Sequence, residues 1–148
     1  MNYLEVVDIT LDHLDLVEEF CKKCNDLDWV NNATPEAMHF EDTIQEGGGW
    51  CGIIKDNNLI SIAGYHAIPE VSDHAWRVFY RSATLPEGNN KTLHRGTSPR
   101  GKSYINRFIK LLPDKDLVVT SNIENNNYAN ITRYHRALLI ESKMKNSI

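Results

Sequence analysis

The sequence of 148 residues has no apolar stretch approaching the roughly 18 uninterrupted residues of a membrane helix. Its start, MNYLEVVDIT, lacks a basic segment followed by a long apolar run, so no cleaved leader is expected and the reading is a soluble, cytoplasmic protein without a membrane partner. Positive charge is not in excess either. Sixteen Lys and Arg stand against 20 Asp and Glu, giving a formal charge of −4, whereas a dedicated nucleic-acid binder normally carries a net basic footprint. Cysteines are few and odd in number, three in all, which suits a reducing compartment better than a disulfide framework. Cys21 and Cys24 form a lone C-x-x-C with no second pair. They fall in the later turns of an expected helix, not at its N-terminus where a thiolate is stabilised, so they read as buried and inert, and no metal site is assigned. No repeat or low-complexity segment interrupts the chain, and its length fits one globular domain over residues 1–148.

What is present is an alternation of strand-like and helix-like segments. YLEVVDI, bounded by Thr10, predicts a first strand. TLDHLDLVEEFCKKCNDL places Leu14, Val17, Cys21 and Cys24 at helical spacing, with Thr10 as N-cap. TPEAMHFEDTIQEGGG predicts a second, shorter helix opened by Thr34 and Pro35 and ended by three glycines. Two β-rich runs within WCGIIKDNNLISIAGYHAI, joined by Asp56, Asn57 and Asn58, predict a hairpin, and AWRVFYRSATL supplies a third strand of the same meander. SPRGKSYINRFIKLLP predicts an amphipathic helix with Ile105, Phe108, Ile109 and Leu112 on one face and Pro113 as its stop. DLVVTSN is a buried-strand candidate, and NYANITRYHRALL carries Ile131, Tyr134, His135 and Leu138 at helical spacing. The expected order is β-α-α-β-β-β-α-β-α, with a short last strand within the C-terminal residues: an α/β domain built on a mixed sheet.

The most specific motif is GTSPRGKS, residues 96–103, which fits the P-loop pattern G-x-x-x-x-G-K-[ST]. A P-loop needs a buried strand that delivers its glycines to a helix N-terminus, and an acidic residue to assist magnesium. Here NNKTLHR precedes Gly96, the strand DLVVTSN ends in Thr120, Ser121 and Asn122, and the preceding meander has the wrong topology for a parallel-sheet NTPase. A nucleotide-binding role stays a third reading. The physical content of the motif survives, because small residues opening a helix beside Arg and Lys can seat any phosphate or pyrophosphate. Residues 77–110 gather Arg77, Arg81, Lys91, Arg95, Arg100, Lys102, Arg107 and Lys110, a basic stretch available to an anionic ligand.

The element order, together with NLISIAGYHAI, SPRGKSYINRFI and NNYANITRYHRALL, resembles the GNAT superfamily of acyl-CoA-dependent N-acyltransferases over nearly the whole chain. Arg100, Gly101 and Lys102 resemble the start of the family's pyrophosphate loop, Q/R-x-x-G-x-G/A. Ser103 and Ile105 stand where the family prefers small residues, and Ile105 threatens to crowd a close backbone approach. Gly64 resembles the family's third-strand glycine, with packing or a bulge as its physical role. Asn126 and Ala129 resemble the N-x-x-A opening of the helix after the fifth strand, and Tyr134 lies one residue later than the family's tyrosine there.

The resemblance implies transfer of an acetyl or other acyl group from acetyl-CoA or another acyl-CoA to a primary amine, on a small molecule or a peptide. Arg100, Gly101, Lys102, Ser103 and Tyr104 would hold the pyrophosphate, Asn126 would contact the cofactor arm, and Tyr134 would protonate the departing thiolate. A backbone amide within or near Tyr80 to Leu85 would hold the oxyanion. Glu70, Asp73, His66 and His74 are the available bases, and no spacing selects among them. Only 14 residues follow Tyr134, so the acceptor side is expected to be incomplete or completed by a second subunit, a homodimer. The alternative from another class is a GNAT-shaped binding or structural module without catalysis.

Overall fold

The structure is a computed structural model that describes residues 5–27, 32–69, 73–86, 99–113 and 117–119, with backbone only for 99–102 and 117–119. Strand β1 (Val6–Ile9) leads into a 3-10 turn (Leu11–His13) and helix α1 (Leu14–Asp26). Thr10 caps this start: its Oγ1 accepts from the Asp12 amide at 3.3 Å, and its own amide donates to His13 Nδ1 at 2.9 Å. Two orphan amides are thereby satisfied where the strand gives way to the helix.

Helix α2 spans Phe40–Gln45, shorter than the sequence predicts. Thr34 does cap the segment, its Oγ1 accepting from the Ala37 amide at 3.0 Å, but residues 35–39 form a turn and His39 is left-handed (φ 60°, ψ 41°). The helix restarts only at Phe40. That side chain is fully buried, and its carbonyl accepts the Trp50 indole N–H at 3.1 Å. Burying one large ring and satisfying one buried donor outweighs the modest helix propensity of the residues before it.

Strands β2 (Gly49–Lys55), β3 (Asn58–Ala67) and β4 (Ala75–Thr84) form the expected meander. Asp56 and Asn57 both take positive φ in the β2–β3 turn, the geometry a tight hairpin demands. Helix α3 (Pro99–Leu111) ends before Pro113, and β5 (Leu117–Val119) follows. The sheet order is β1-β2-β3-β4-β5. The first four strands are antiparallel, and β5 joins β4 in parallel through Ala75↔Leu117, Trp76↔Val118 and Arg77↔Val119. The predicted mixed α/β sheet and its element order are therefore present as far as β5. The last predicted helix and the short C-terminal strand lie outside the described residues. Among the described residues no helix is long and apolar enough to cross a membrane.

Each face of the sheet has its own core. On one, α3 contributes Tyr104, Ile105, Phe108 and Leu112 to a cluster with Cys51, Ile53, Ala63, Val78 and Phe79. On the other, Val17, Phe20, Cys21, Cys24 and Phe40 pack with Trp50, Leu59 and Ile62. All three cysteines are buried and unpaired with one another. Burial pushes the Cys21 thiol up to about 11, and burial with the nearby Asp8 charge pushes Cys51 up to about 12, so neither is a poised nucleophile. Arg107 on α3 grips Asp8 on β1 with two hydrogen bonds, 3.0 Å from Nε and 2.8 Å from Nη2, which raises its own pKa further and ties the helix to the edge strand.

Candidate functional site

The chain leaves β4 at its C-terminal end, crosses over the sheet in α3 and re-enters as β5 beside the start of β4. Such a crossover places the N-terminus of its helix near the carboxyl ends of the parallel strands, where open α/β sheets bind ligands. A buried hydroxyl relay fixes that position here. Ser61 Oγ on β3 lies 2.8 Å from Thr84 Oγ1 near the end of β4 and 2.7 Å from Tyr104 Oη in α3. The second turn of α3 is thus tied to the top of β3 and β4, and the first turn, Pro99 to Lys102, sits just beyond it. Proline at the first position supplies fixed φ without wasting an amide, and the free amides that follow present partial positive charge to an anion.

Of the pyrophosphate candidates, Arg100, Gly101 and Lys102 occupy this first turn, with their backbone helical. Ser103 is half-buried on the next position. Tyr104 is buried at 3 % exposure with its hydroxyl on Ser61, so its side chain supports the helix and only its main chain faces the turn. Ile105 is 1 % exposed and belongs to the α3-side core. Its side chain packs against the sheet, and the crowding expected from the sequence does not arise from it. Asn126 and Tyr134 lie outside the described residues, as do residues 96–98 of the GTSPRGKS motif.

Strand β4 is bulged twice. Opposite the step from Tyr65 to Gly64, β4 advances from Val78 to Tyr80; opposite the step from Gly64 to Ile62, it advances from Tyr80 to Ala83. Each step carries one extra residue on β4, and Phe79 (φ 58°) and Arg81 (φ 49°) are left-handed. Left-handed backbone in such bulky residues is uncommon and costs about 1–3 kcal/mol each, an expense that persists only where surrounding structure enforces it. A bulge also takes a peptide group out of the ladder and bends the strand. Its effect on side chains is direct. Val78 and Phe79 both bury on the α3 side, while Tyr80 turns to the opposite face.

There Tyr80 gathers polar groups. Arg81 Nε donates to Tyr80 Oη at 2.8 Å, and the guanidinium carbons of Arg77 and Arg81 lie 5.2 and 5.3 Å from its ring centroid. The His66 ring meets it edge-on at 4.6 Å, and Trp50 lies at 5.7 Å. His66 Nδ1–H donates to the Ala67 carbonyl at 2.8 Å, which leaves Nε2 as the acceptor of the neutral ring. Gly64 makes this packing possible, since a Cβ there would sit 2.7 Å from the Trp50 ring. Of the three candidate bases among the described residues, only His66 stands at the bulge. Asp73 and His74 are exposed in the turn that precedes β4, at the end of the sheet away from Thr84, and Glu70 lies outside the described residues.

Sequence reasoning missed Ser61 and the grouping around Tyr80. The basic stretch contained Arg77 and Arg81, but strict alternation gives no warning of a bulge between them. A separate small cavity, about 140 Å³, lies beside α2 and is lined by Glu36, His39, Glu41 and Asp42 among others. Its acidic lining repels phosphate, and Phe40 and Trp50 stand between it and Tyr80. Among the described residues, no group of three His, Cys, Asp or Glu side chains is arranged to hold a metal ion.

A mixed sheet whose bulged fourth strand lies beside a fifth parallel strand, with the N-terminus of the intervening helix at their carboxyl ends, is the GNAT fold. Solved structures agree. The chain is similar to a GNAT-family acetyltransferase from Staphylococcus aureus Mu50, with a TM-score of 0.57 and 11 % identity over 86 % of this chain and 82 % of that one. It is also similar to the N-acetylglutamate synthase of Neisseria gonorrhoeae, solved with coenzyme A and N-acetyl-glutamate, with a TM-score of 0.53 and 10 % identity. That match covers 99 % of this chain but 34 % of the synthase, so the chain spans about a third of it. No protein-family model and no curated protein matches the sequence.

Proposed function

We propose that the protein transfers an acetyl or other acyl group from acyl-coenzyme A to a primary amine. The observation that carries this reading is the conjunction of the α3 N-terminal turn with the double bulge of β4. The first offers amides and the charges of Arg100 and Lys102 to a pyrophosphate; the second offers main-chain groups outside the ladder to an acyl carbonyl. In the reaction the amine nitrogen attacks the thioester carbon and the carbonyl oxygen gains negative charge. A backbone N–H at the bulge stabilises that oxyanion. The new N–C bond forms as the C–S bond breaks; His66 Nε2 takes the proton lost by the attacking amine, and Tyr134 returns a proton to the coenzyme A thiolate. Asn126 contacts the cofactor arm.

The glycine-rich match to a P-loop has little support from this architecture. Among the described residues β4/β5 is the one parallel pair, and residues 85–98 separate the strand from the helix.

Titration calorimetry with acetyl-CoA, and separately with ATP and magnesium, tests the reading. Acetyl-CoA is expected to give heat that weakens with salt. The double variant Arg100→Glu, Lys102→Glu is expected to lower the affinity about tenfold or more, because two charge-assisted contacts become repulsive. Silence with acetyl-CoA would favour a GNAT-shaped module without catalysis, and magnesium-dependent heat with ATP would favour a nucleotide site. With the amine in hand, Tyr134→Phe should lower turnover and leave cofactor binding intact.

A further inference from the structure

The bulge at Phe79 decides which residue of β4 stands beside His66. Under strict alternation Val78 and Tyr80 would share a face. The extra residue instead sends Phe79 into the α3-side core with Val78 and brings Tyr80 to the face of Trp50. The left-handed backbone at Phe79, φ 58°, is the strained feature that makes this change. On that face three rings form a row. Trp50 and Tyr80 both stand opposite Gly64 on the strands flanking β3, and the missing Cβ lets the Trp50 ring lie across that position. Trp50 is anchored by its indole N–H on the Phe40 carbonyl at 3.1 Å. Tyr80 rests against it with centroids 5.7 Å apart, and His66 meets Tyr80 at 4.6 Å with the ring planes 81° apart. The far end of the phenol is fixed too, because Arg81 Nε donates to Oη at 2.8 Å.

An imidazole that takes a proton from an amine needs a fixed tautomer and a fixed plane. The tautomer is set by Nδ1–H on the Ala67 carbonyl, 2.8 Å away. That bond reaches only the next residue in the chain and holds one ring atom. Rotation about the Cβ–Cγ bond of histidine has a broad preference, so the plane must come from packing. His66 is half-buried, and the aromatic ring against it is that of Tyr80. Among the described residues no group is hydrogen-bonded to Nε2. We propose that Tyr80 is the positioning residue of His66: its ring, turned to this face by the bulge and steadied by Trp50 and Arg81, holds the imidazole plane while Nε2 stays open to a proton. The role of His66 as base rests on the acyltransferase reading; the hold on its ring does not, and it is tested separately.

The test uses the full chain with isotope-labelled histidine. In the NMR arm, without acetyl-CoA, the wild-type His66 ring should be the Nδ1–H tautomer and its ring carbons should relax as a rigid group. Tyr80→Leu should release the ring, seen as fast internal motion. Arg81→Gln, a change at an exposed side chain, should release it in part, and Tyr80→Phe, which keeps the ring and loses only the bond at Oη, should match Arg81→Gln. In the kinetic arm, thiol release from acetyl-CoA is followed with ethanolamine, putrescine, glycine and lysine as amines. Tyr80→Leu should lower kcat about tenfold or more with KM for acetyl-CoA unchanged, and His66→Gln should lower it about a hundredfold. Once His66 is gone Tyr80 has nothing left to position, so the double variant should be no slower than His66→Gln alone. A His66 ring as ordered in Tyr80→Leu as in wild type overturns the inference, as does a double variant whose losses multiply. Should Tyr80→Leu not fold, an unchanged ring in both Arg81→Gln and Tyr80→Phe overturns it in the same way. No thiol release by the wild type with any of these amines, with the ring released in the variants, counts against the transferase reading and leaves the hold of Tyr80 on His66 standing.

Discussion

The two faces of the sheet are built to different ends. On the α3 face the core is closed: Phe79, Tyr104 and Phe108 meet edge to face or stacked at 5.3 to 6.1 Å, and the polar pair Ser61 and Tyr104 is satisfied internally. On the α1/α2 face a comparable line of rings, Phe40, Trp50, Tyr80, begins buried and ends among the half-buried Arg77 and His66 and the exposed Arg81. The same strand, β4, serves both. Its bulges give Val78 and Phe79 to the closed face and Tyr80 to the open one. The closed side ties the second turn of α3 to the sheet through Ser61, and the other side leaves Arg81 exposed at the surface.

That contrast can be broken at several points. Phe108→Ala empties the centre of the closed face and should cost about 3–5 kcal/mol in urea unfolding, the largest effect expected here. Gly64→Ala strikes the open face by pressing a methyl into Trp50; it should cost about 1–3 kcal/mol and disturb the environment of Tyr80, readable in near-UV circular dichroism. Ser61→Ala leaves the Tyr104 hydroxyl without this buried partner, for a loss of about 1–3 kcal/mol. Combined with Tyr104→Phe, the double variant should lose less than the two singles together, and a strictly additive result would show that the two hydroxyls are not coupled. Acyl-CoA affinity should fall in Ser61→Ala if the relay positions the helix.

Asp8→Asn removes half of the ion pair to Arg107. Both side chains are more than a third exposed, so screening limits the loss to about 1 kcal/mol or less, shrinking further with salt. Smallest at neutral pH is the effect of the buried thiols. Their folded pKa values, about 11 for Cys21 and about 12 for Cys51, exceed the ordinary value of 9.0. Above pH 9 the unfolded chain releases these protons first, so stability is full below that pH and declines as pH rises toward 12. A thiol reagent at pH 8 should find the native protein unreactive and the unfolded protein fully labelled; rapid native labelling would contradict the burial.

Local signals translated well into structure. Thr10 caps, Asp56 and Asn57 turn, and Pro113 lies just past the end of α3, because each depends on a residue's own backbone preferences and its nearest neighbours. The stretch before α2 shows the opposite case. Thr34, Pro35 and Glu36 announce a continuous helix, yet burial of Phe40 and the Trp50 hydrogen bond impose a left-handed His39 within it. The site divides the same way. The first turn of α3 was visible as SPRGKS, whereas Ser61 is an ordinary strand serine until β3 and α3 are brought together. Ile105 looked like an obstruction on a linear motif and proved to be a core residue, since which way a helical side chain points depends on the face the helix buries.

The sequence by itself determined the order of strands and helices as far as β5 and the basic, small-residue opening of α3, because propensity, capping and charge act over a few neighbouring residues. Tertiary structure alone decided the bulges of β4 and the assembly of Arg77, Arg81, His66 and Tyr80. A bulge is a register difference between two strands, and its energy comes from packing on both faces of the sheet at once, which no single segment encodes.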